Sequence, residues 1–300
     1  MLLSIIIPFY KGNSYINNLL ACILRNKKNL SMENVFNVFN VIIINDSPDE
    51  KIRINDEFKK ELSIKIYNNE KNYGIHRSRI EGIKKTHSKY IIMIDQDDYL
   101  VDDALKIIIS LLQKDRASDM FVFNGYKKYV DIHGKADELL IPHLLPKCFI
   151  KNIYWYCLVE NPIASPGQVV LRRDGIPSEW CENIMICNGS DDMFLWMLMI
   201  KMNRRIRYYD IPIYFHVETG KNFGRNSDKM NESDLSICDI MKKYNLLTDI
   251  QIKLIHRNVQ FKYFRSRKNL SNYFHIIFCY PDILIGRFFA KFIRKLDCII

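Results

Sequence analysis

The stretch Tyr90-Ile91-Ile92-Met93-Ile94-Asp95-Gln96-Asp97-Asp98 runs five apolar residues straight into three carboxylates. A continuous apolar run of that length predicts a buried parallel strand, and ligands in open α/β sheets collect beyond the carboxyl ends of such strands. The acids are therefore expected where a ligand binds. Three carboxylates within four residues repel one another unless a cation offsets them, and a hard divalent ion with oxygen ligands does this. The expectation is Mg²⁺ or Mn²⁺ holding a diphosphate. The alternative is an acidic loop capping the helix that starts near Val101, where Asp suits the helix dipole.

The remaining pattern supplies a frame for that strand. Leu3–Phe9 is apolar and leads through Lys11-Gly12-Asn13 into a helix bearing Tyr15, Ile16, Leu19, Leu20, Ile23 and Leu24 at helical period. Residues 38–44 form a second strand ending in Asn45-Asp46-Ser47-Pro48. Residues 49–62 read as a polar-faced helix, 64–67 as a short strand and 76–86 as a helix. This alternation predicts an α/β fold with a Rossmann-like, mostly parallel sheet flanked by helices and joined by right-handed crossovers.

Beyond the acids, residues 102–114 are an amphipathic helix, 119–123 a strand, and 126–132 a hairpin arm around His133-Gly134. Residues 138–167, rich in Pro and aromatics, are expected to form a loop and helix insertion shaping a pocket for a second substrate. Strands are predicted at 168–171, 207–209 and 211–215, and a helix at 191–202. Residues 218–231 lack periodicity and are expected to be mobile, with a C-terminal helical extension beyond them. The domain division expected is 1–217 and 218–300.

With 300 residues, 48% hydrophobic and 12% aromatic, the chain can bury a large core and is too apolar for a solvated polymer. The N-terminus has no basic region, and its apolar run is too short for a signal peptide. The eight cysteines show neither CxxC pairs nor metal-type spacing. A cytoplasmic, reducing location with mostly buried free thiols is expected. Of the formal charge of +10, most lies in residues 251–300, which hold ten Lys/Arg against Asp282 and Asp297.

Asp46 follows the second strand, Asp95 and Asp97 follow the central one, and Arg79 lies on the helix between them. Parallel topology brings these ends together. Asp46 suits accepting from a base N–H, and the planar fork of Arg79 suits a base carbonyl or a phosphate. A turn aspartate and a surface helix arginine are the plain alternatives. Farther on, Asn188-Gly189-Ser190-Asp191-Asp192 precedes an apolar helix. It reads either as a helix start stabilised by the dipole or as a general base facing a sugar hydroxyl.

Taken in order, these segments resemble a known family. Ser4-Ile5-Ile6-Ile7-Pro8-Phe9-Tyr10, Ile43-Ile44-Asn45-Asp46-Ser47, Asn72-Tyr73-Gly74 with Arg79 and Gly82, Asp95-Gln96-Asp97-Asp98, and Asp191-Asp192 before Leu195-Trp196 are similar to the motifs of family 2 glycosyltransferases with the GT-A fold, over about residues 3–216. The resemblance implies that Pro8, Tyr10 and Asp46 line the nucleoside pocket. Arg79 would contact base or diphosphate, Asp95 the ribose or metal, and Asp97 the divalent ion. Asp192 would be the base of an inverting displacement. Asp191 stands where the family has Glu, which leaves open which of the two faces the acceptor, and Asn45 replaces one acid of the second-strand pair. His216 is the candidate third metal or phosphate contact, a packed histidine being the alternative, and Thr219-Gly220-Lys221-Asn222 is the candidate lid. The implied donor is a nucleotide-sugar, a UDP-sugar above others. The implied acceptor is a saccharide or lipid-linked saccharide in polysaccharide synthesis.

At about 100° per residue, residues 281–296 place Ile285, Phe288, Phe289, Phe292 and Leu296 on one face, with Arg287, Lys291, Arg294 and Lys295 opposite and to one side. Such a helix suits an anionic membrane surface, which would make the protein peripheral at the inner face of the cell membrane. Packing on the catalytic domain and a homo-oligomer interface are the alternatives. A basic nucleic-acid-binding protein leaves the acids unexplained, since they would repel a phosphate backbone, so no nucleic acid is expected. A nucleotidyltransferase wants a phosphate loop near the N-terminus, and Pro8-Phe9-Tyr10-Lys11-Gly12 is a poor one.

Overall fold

In the computed structural model the described residues are 1–300 except 31–37, 130–136, 144, 146, 186–188, 220–226, 268 and 298–300. Strands β1 (Leu3–Phe9), β2 (Phe39–Asn45) and β4 (Tyr90–Met93) are buried at every position. Burial on both faces is what leaves these runs almost without polar residues. They pair in parallel with β3 (Ile64–Asn68) in the order β3-β2-β1-β4. Helices α1 (Ile16–Lys28), α2 (Asp56–Glu61), α3 (Ile75–Lys84) and α4 (Ala104–Lys114) occupy the connections. The strand order reverses between β1 and β4, which opens the crevice where α/β folds bind ligands.

The sheet continues as β4-β8-β6-β9-β5, with β7 beside β6, giving nine strands among the described residues. Here β5 is Tyr99–Leu100, β6 Met120–Tyr129, β7 Glu138–Leu139, β8 Val169–Arg172 and β9 Ile206–Glu218. The β6–β9 pairing is parallel, while β8, β5 and β7 join antiparallel. A mixed, mostly parallel α/β sheet is the result.

Several elements depart from the periodicity. The helix expected over 49–62 is confined to α2. Asn13 and Asn17 account for this, because their side chains bond the backbone of Lys51, Arg53 and Asn55 at 2.8–3.1 Å and hold it extended. The helix expected from Asp102 starts at Ala104, after Asp103 with φ of 65°. Residues 99–100 are a strand on β9 instead, so the acids do not cap α4. The two strands expected at 207–209 and 211–215 are one strand, β9, whose register with β6 slips around Asn124. Pro212, without an N–H, lies opposite that slip. The hairpin arm begins as expected, Tyr126 pairing with Leu139, and its tip lies outside the described residues.

The chain forms two compact units, 1–140 with 165–176 and 204–220, and 141–164 with 177–203 and 221–300. The expected boundary at 217 is close to the last of these joins, and the second unit also takes up 141–164 and 177–203. The first unit contains the sheet. Its core joins β1, β2 and β4 to α1 and α4 through residues such as Ile5, Ile43, Ile92, Leu20 and Ile108.

The second unit is helical: α5 (Ile153–Leu158), α6 (Ser178–Glu182), α7 (Asp191–Lys201), α8 (Ser227–Lys243), α9 (Asp249–Ser266), α10 (Leu270–Cys279) and α11 (Pro281–Asp297). A capping box opens α9, with Thr248 and Gln251 bonding each other's backbone. On α11 the buried residues include Ile283, Ala290 and Ile293. Arg287 lies opposite the expected apolar face, and because that face turns outward it donates inward to Asn258 Oδ1 at 2.9 Å and lies over the Phe261 ring. Of the six described cysteines, Cys22, Cys157 and Cys238 are buried while Cys148 and Cys279 are exposed, so burial of the thiols is less general than expected.

Candidate active site

Registers Phe9↔Asn45 and Asn45↔Asn68 bring β1, β2 and β3 to an end together. The last bond from β4 to β1 is Ile94 N–H to Ile6 O at 2.9 Å, after which β4 leaves the sheet. Pro8 lies two residues on, facing the same side, where its missing N–H costs no ladder bond. Tyr10, just beyond, is exposed.

Asp46 is buried and its carboxylate organises the loop that enters α3. Oδ1 accepts from Asn69 Nδ2 at 2.7 Å and from the Tyr73 N–H at 2.8 Å, and Oδ2 accepts from the Gly74 N–H at 2.8 Å. A carboxylate offers about four acceptor directions, so three are taken up among the described residues. Gly74, at φ of 88°, starts α3 in a conformation that favours glycine. Gly82 lets the helix lie against β1, since a Cβ there would stand 2.3 Å from Ile6 Cγ2.

Arg79 is not a surface arginine. It is buried and donates to Asp95 Oδ1 at 2.7 Å. Next in the chain, Gln96 clamps Tyr10 through its amide, which accepts from the Tyr10 N–H and donates to the Tyr10 carbonyl, both at 2.9 Å. Asp98 is fully enclosed. It accepts from the Tyr214 hydroxyl and from the Val217 N–H at 2.7 Å, with His216 Nδ1 at 3.4 Å. Because Tyr214 gives its proton to Asp98, Ser165, at 2.7 Å, donates to the Tyr214 oxygen.

These partners leave Asp97 apart. It is half-buried, and among the described residues no Lys or Arg stands within ion-pair distance of it. Burial, then the charges of Asp98 and Asp95, push its carboxyl up to about 7. His216 is held above its ordinary range: burial opposes the imidazolium, but the hydrogen bond and charge of Asp98 outweigh it. Its Nε2 lies 4.0 Å from Glu218 Oε1, which also meets Lys127 Nζ at 2.9 Å.

Among the described residues no three His, Cys, Asp or Glu side chains are arranged to hold a metal by themselves. Of the three expected ligands, Asp95 is engaged by Arg79 and His216 by Asp98. The donor set fits a divalent ion carried on phosphates, which takes one or two carboxylates and completes its shell from phosphate and water. Asp97 is the carboxylate that a cation would draw into its charged form, against the burial and neighbouring acids that keep it protonated.

In the helical unit, Asp191 and Asp192 form the first turn of α7, where both suit the dipole. Asp191 is buried. Asp192 is half-buried, with Oδ1 accepting from the Met193 N–H at 2.6 Å. Its charge, added to burial, raises the Tyr156 hydroxyl well above the ordinary phenol range. Ser190 anchors this turn by donating its N–H to Ser233 and its hydroxyl to Asp234 at 2.6 Å, and Asp234 in turn accepts from Lys262 at 2.5 Å. Asn188 and most of the candidate lid, residues 220–222, lie outside the described residues.

Sequence reasoning missed Gln96, Tyr214, Ser165 and Glu218. The apolar alternation of 211–215 marked a strand, but nothing local linked it to Asp98, more than a hundred residues earlier.

A family model described as glycosyl transferase family 2 matches residues 4–177. An "Uncharacterized glycosyltransferase" of Haemophilus influenzae is 25% identical over 177 residues, 58% of this chain and 64% of the relative. A "Processive diacylglycerol beta-glycosyltransferase" of Mycoplasma pneumoniae is 26% identical over 166 residues, 54% of this chain and 44% of the relative. The chain thus spans less than two thirds of either relative. A crystal structure of S. aureus TarS residues 1–349 in complex with UDP-GlcNAc has a TM-score of 0.59 at 16% identity, covering 95% of this chain and 81% of that one. At that identity the likeness is one of fold.

Proposed function

This chain belongs to glycosyl transferase family 2, and from that premise we propose that it moves a sugar from a nucleoside diphosphate sugar, a UDP-sugar, to a hydroxyl of a saccharide acceptor with inversion. The observation that carries the reading is the gathering of Asp46, the Arg79–Asp95 pair and Asp97 at the carboxyl ends of the parallel strands. Pro8, Tyr10 and Asp46 receive the nucleoside. Arg79 presents its planar guanidinium to the base or the diphosphate, and the bond to Asp95 keeps it aimed. Asp97 would hold Mn²⁺ or Mg²⁺ carried on the diphosphate, while the other two candidate ligands, Asp95 and His216, are engaged by Arg79 and Asp98. The bound ion supplies Lewis-acid neutralisation of charge growing on the leaving diphosphate. Asp192 takes the proton of the acceptor hydroxyl, a role its half-buried position suits better than the enclosed Asp191.

The acceptor is a lipid-linked saccharide of a cell-surface polysaccharide, which places the protein at the cytoplasmic face of the membrane. The diacylglycerol in the Mycoplasma relative's name and the basic C-terminal region support the membrane side of this reading. Thermal-shift titration with UDP, GDP and CDP, each with and without Mn²⁺, tests the donor site. Stabilisation by UDP that grows with Mn²⁺ is expected. No response to any nucleotide would overturn the reading.

A further inference from the structure

Helices α10 and α11 each turn an apolar stripe to solvent. On α10, Leu270, Tyr273, Phe274, Ile277 and Phe278 are 49–78% exposed. Their spacing of three and four residues puts them on one helix face. On α11, Ile285, Phe288, Phe289 and Phe292 are 42–71% exposed at the same spacing. Periodicity alone leaves such a face open to a core, a second chain or a membrane. Tyr280 alone separates the two helices, and so much exposed aromatic surface marks an interaction site.

Charge decides what covers it. Arg265 and Arg267 at the end of α9, and Lys291 and Lys295 on α11, are exposed. Among the described side chains of α10 and α11 the acid is Asp282, and it is tied to Arg257 at 2.7 Å. A second copy of the chain would bring like charges together. A polyanion without an apolar layer would leave the phenylalanines in water. A bilayer with anionic headgroups meets both needs, taking the rings into the headgroup boundary and the cations onto its phosphates. No helix among the described residues is long and apolar enough to cross a membrane.

We propose that the outward faces of α10 and α11 dock on the surface of an anionic bilayer. The assignment rests on the membrane-side location proposed above but not on the transfer chemistry. Co-flotation of the full chain with vesicles of phosphatidylglycerol and phosphatidylcholine, against phosphatidylcholine alone, reads it out. The chain should float with the anionic vesicles only. Phe278→Ser with Phe288→Ser should weaken partitioning by at least about tenfold. Lys291→Glu with Lys295→Glu should weaken it several-fold and remove most of its salt dependence.

A full chain that stays in the soluble fraction overturns the proposal, as does flotation that neither double variant alters. A dimer that dissociates in the Phe278→Ser/Phe288→Ser variant, without flotation of the wild type, assigns the patch to self-association instead. The UDP and Mn²⁺ thermal shift of the same variants should be unchanged, which separates failure of docking from failure of the donor site.

Discussion

Arg79 on α3 donates to Asp95 Oδ1 across 2.7 Å, and with side chains 4% and 26% exposed the pair ties the crossover helix to the end of β4. Removing one partner strands the other charge. Arg79→Ala should lower the unfolding free energy by about 2–4 kcal/mol, less than a wholly enclosed pair because Asp95 keeps some water. Arg79→Lys restores charge without the planar fork and should recover only part of the stability and of UDP affinity. Urea unfolding and nucleotide titration check the two effects. A loss below about 0.5 kcal/mol would reduce the pair to a surface contact.

The raised Asp97 carboxyl has a consequence for stability. Between its ordinary range and about 7, the folded chain holds a proton that the unfolded chain has released. Stability without metal should therefore fall as pH rises through that window. At about 1.4 kcal/mol per pH unit the total reaches a few kcal/mol. Melts in chelator should show the wild type losing stability relative to Asp97→Asn from about pH 4 upward, levelling above 7. Added Mn²⁺ should restore the wild type and leave the variant unchanged. Parallel curves would remove Asp97 from the metal proposal.

Asp192→Asn should reduce transfer by about 10²–10⁴-fold, the range expected for loss of a general base, with UDP affinity intact. Asp191→Asn should cost about 0.5–1 kcal/mol of helix-end stabilisation and keep most turnover. Single-turnover assays with a saccharide acceptor, beside thermal melts, distinguish the two. The opposite pattern would exchange their roles.

Gly12 has no side chain because Gln96 passes there: a Cβ would stand 2.0 Å from Gln96 Oε1. Gly12→Ala should push that amide off Tyr10, raising KM for the donor several-fold with a stability loss of about 1–3 kcal/mol. Adding Gln96→Ser should relieve the clash, so the double variant should be more stable than Gly12→Ala alone. Additive losses in the cycle would mean that the amide does not occupy the space.

Much of the site was legible locally. The Asp46 and Asp95–Asp98 segments follow unbroken apolar runs, and parallel topology alone brings their ends together. Roles were less legible than places. Asp46 reads as a ligand contact or a turn residue, and in the fold it spends three hydrogen bonds on the loop into α3. Asp98, one of three similar acids in sequence, is the one wholly taken up by Tyr214, His216 and Val217.

By itself the sequence determined the buried strands, the crossover helices and the crevice between β1 and β4, because only strands covered on both faces exclude polar residues along their length. Tertiary structure decided whatever depends on distant partners. Asn13 and Asn17 hold residues 51–55 extended against their helical pattern, and β9 turns residues 99–100 into a strand. The neighbours packed around Asp97 raise its carboxyl. The stripes of α10 and α11 face water, since periodicity marks which face of a helix is apolar and leaves to packing what lies against it.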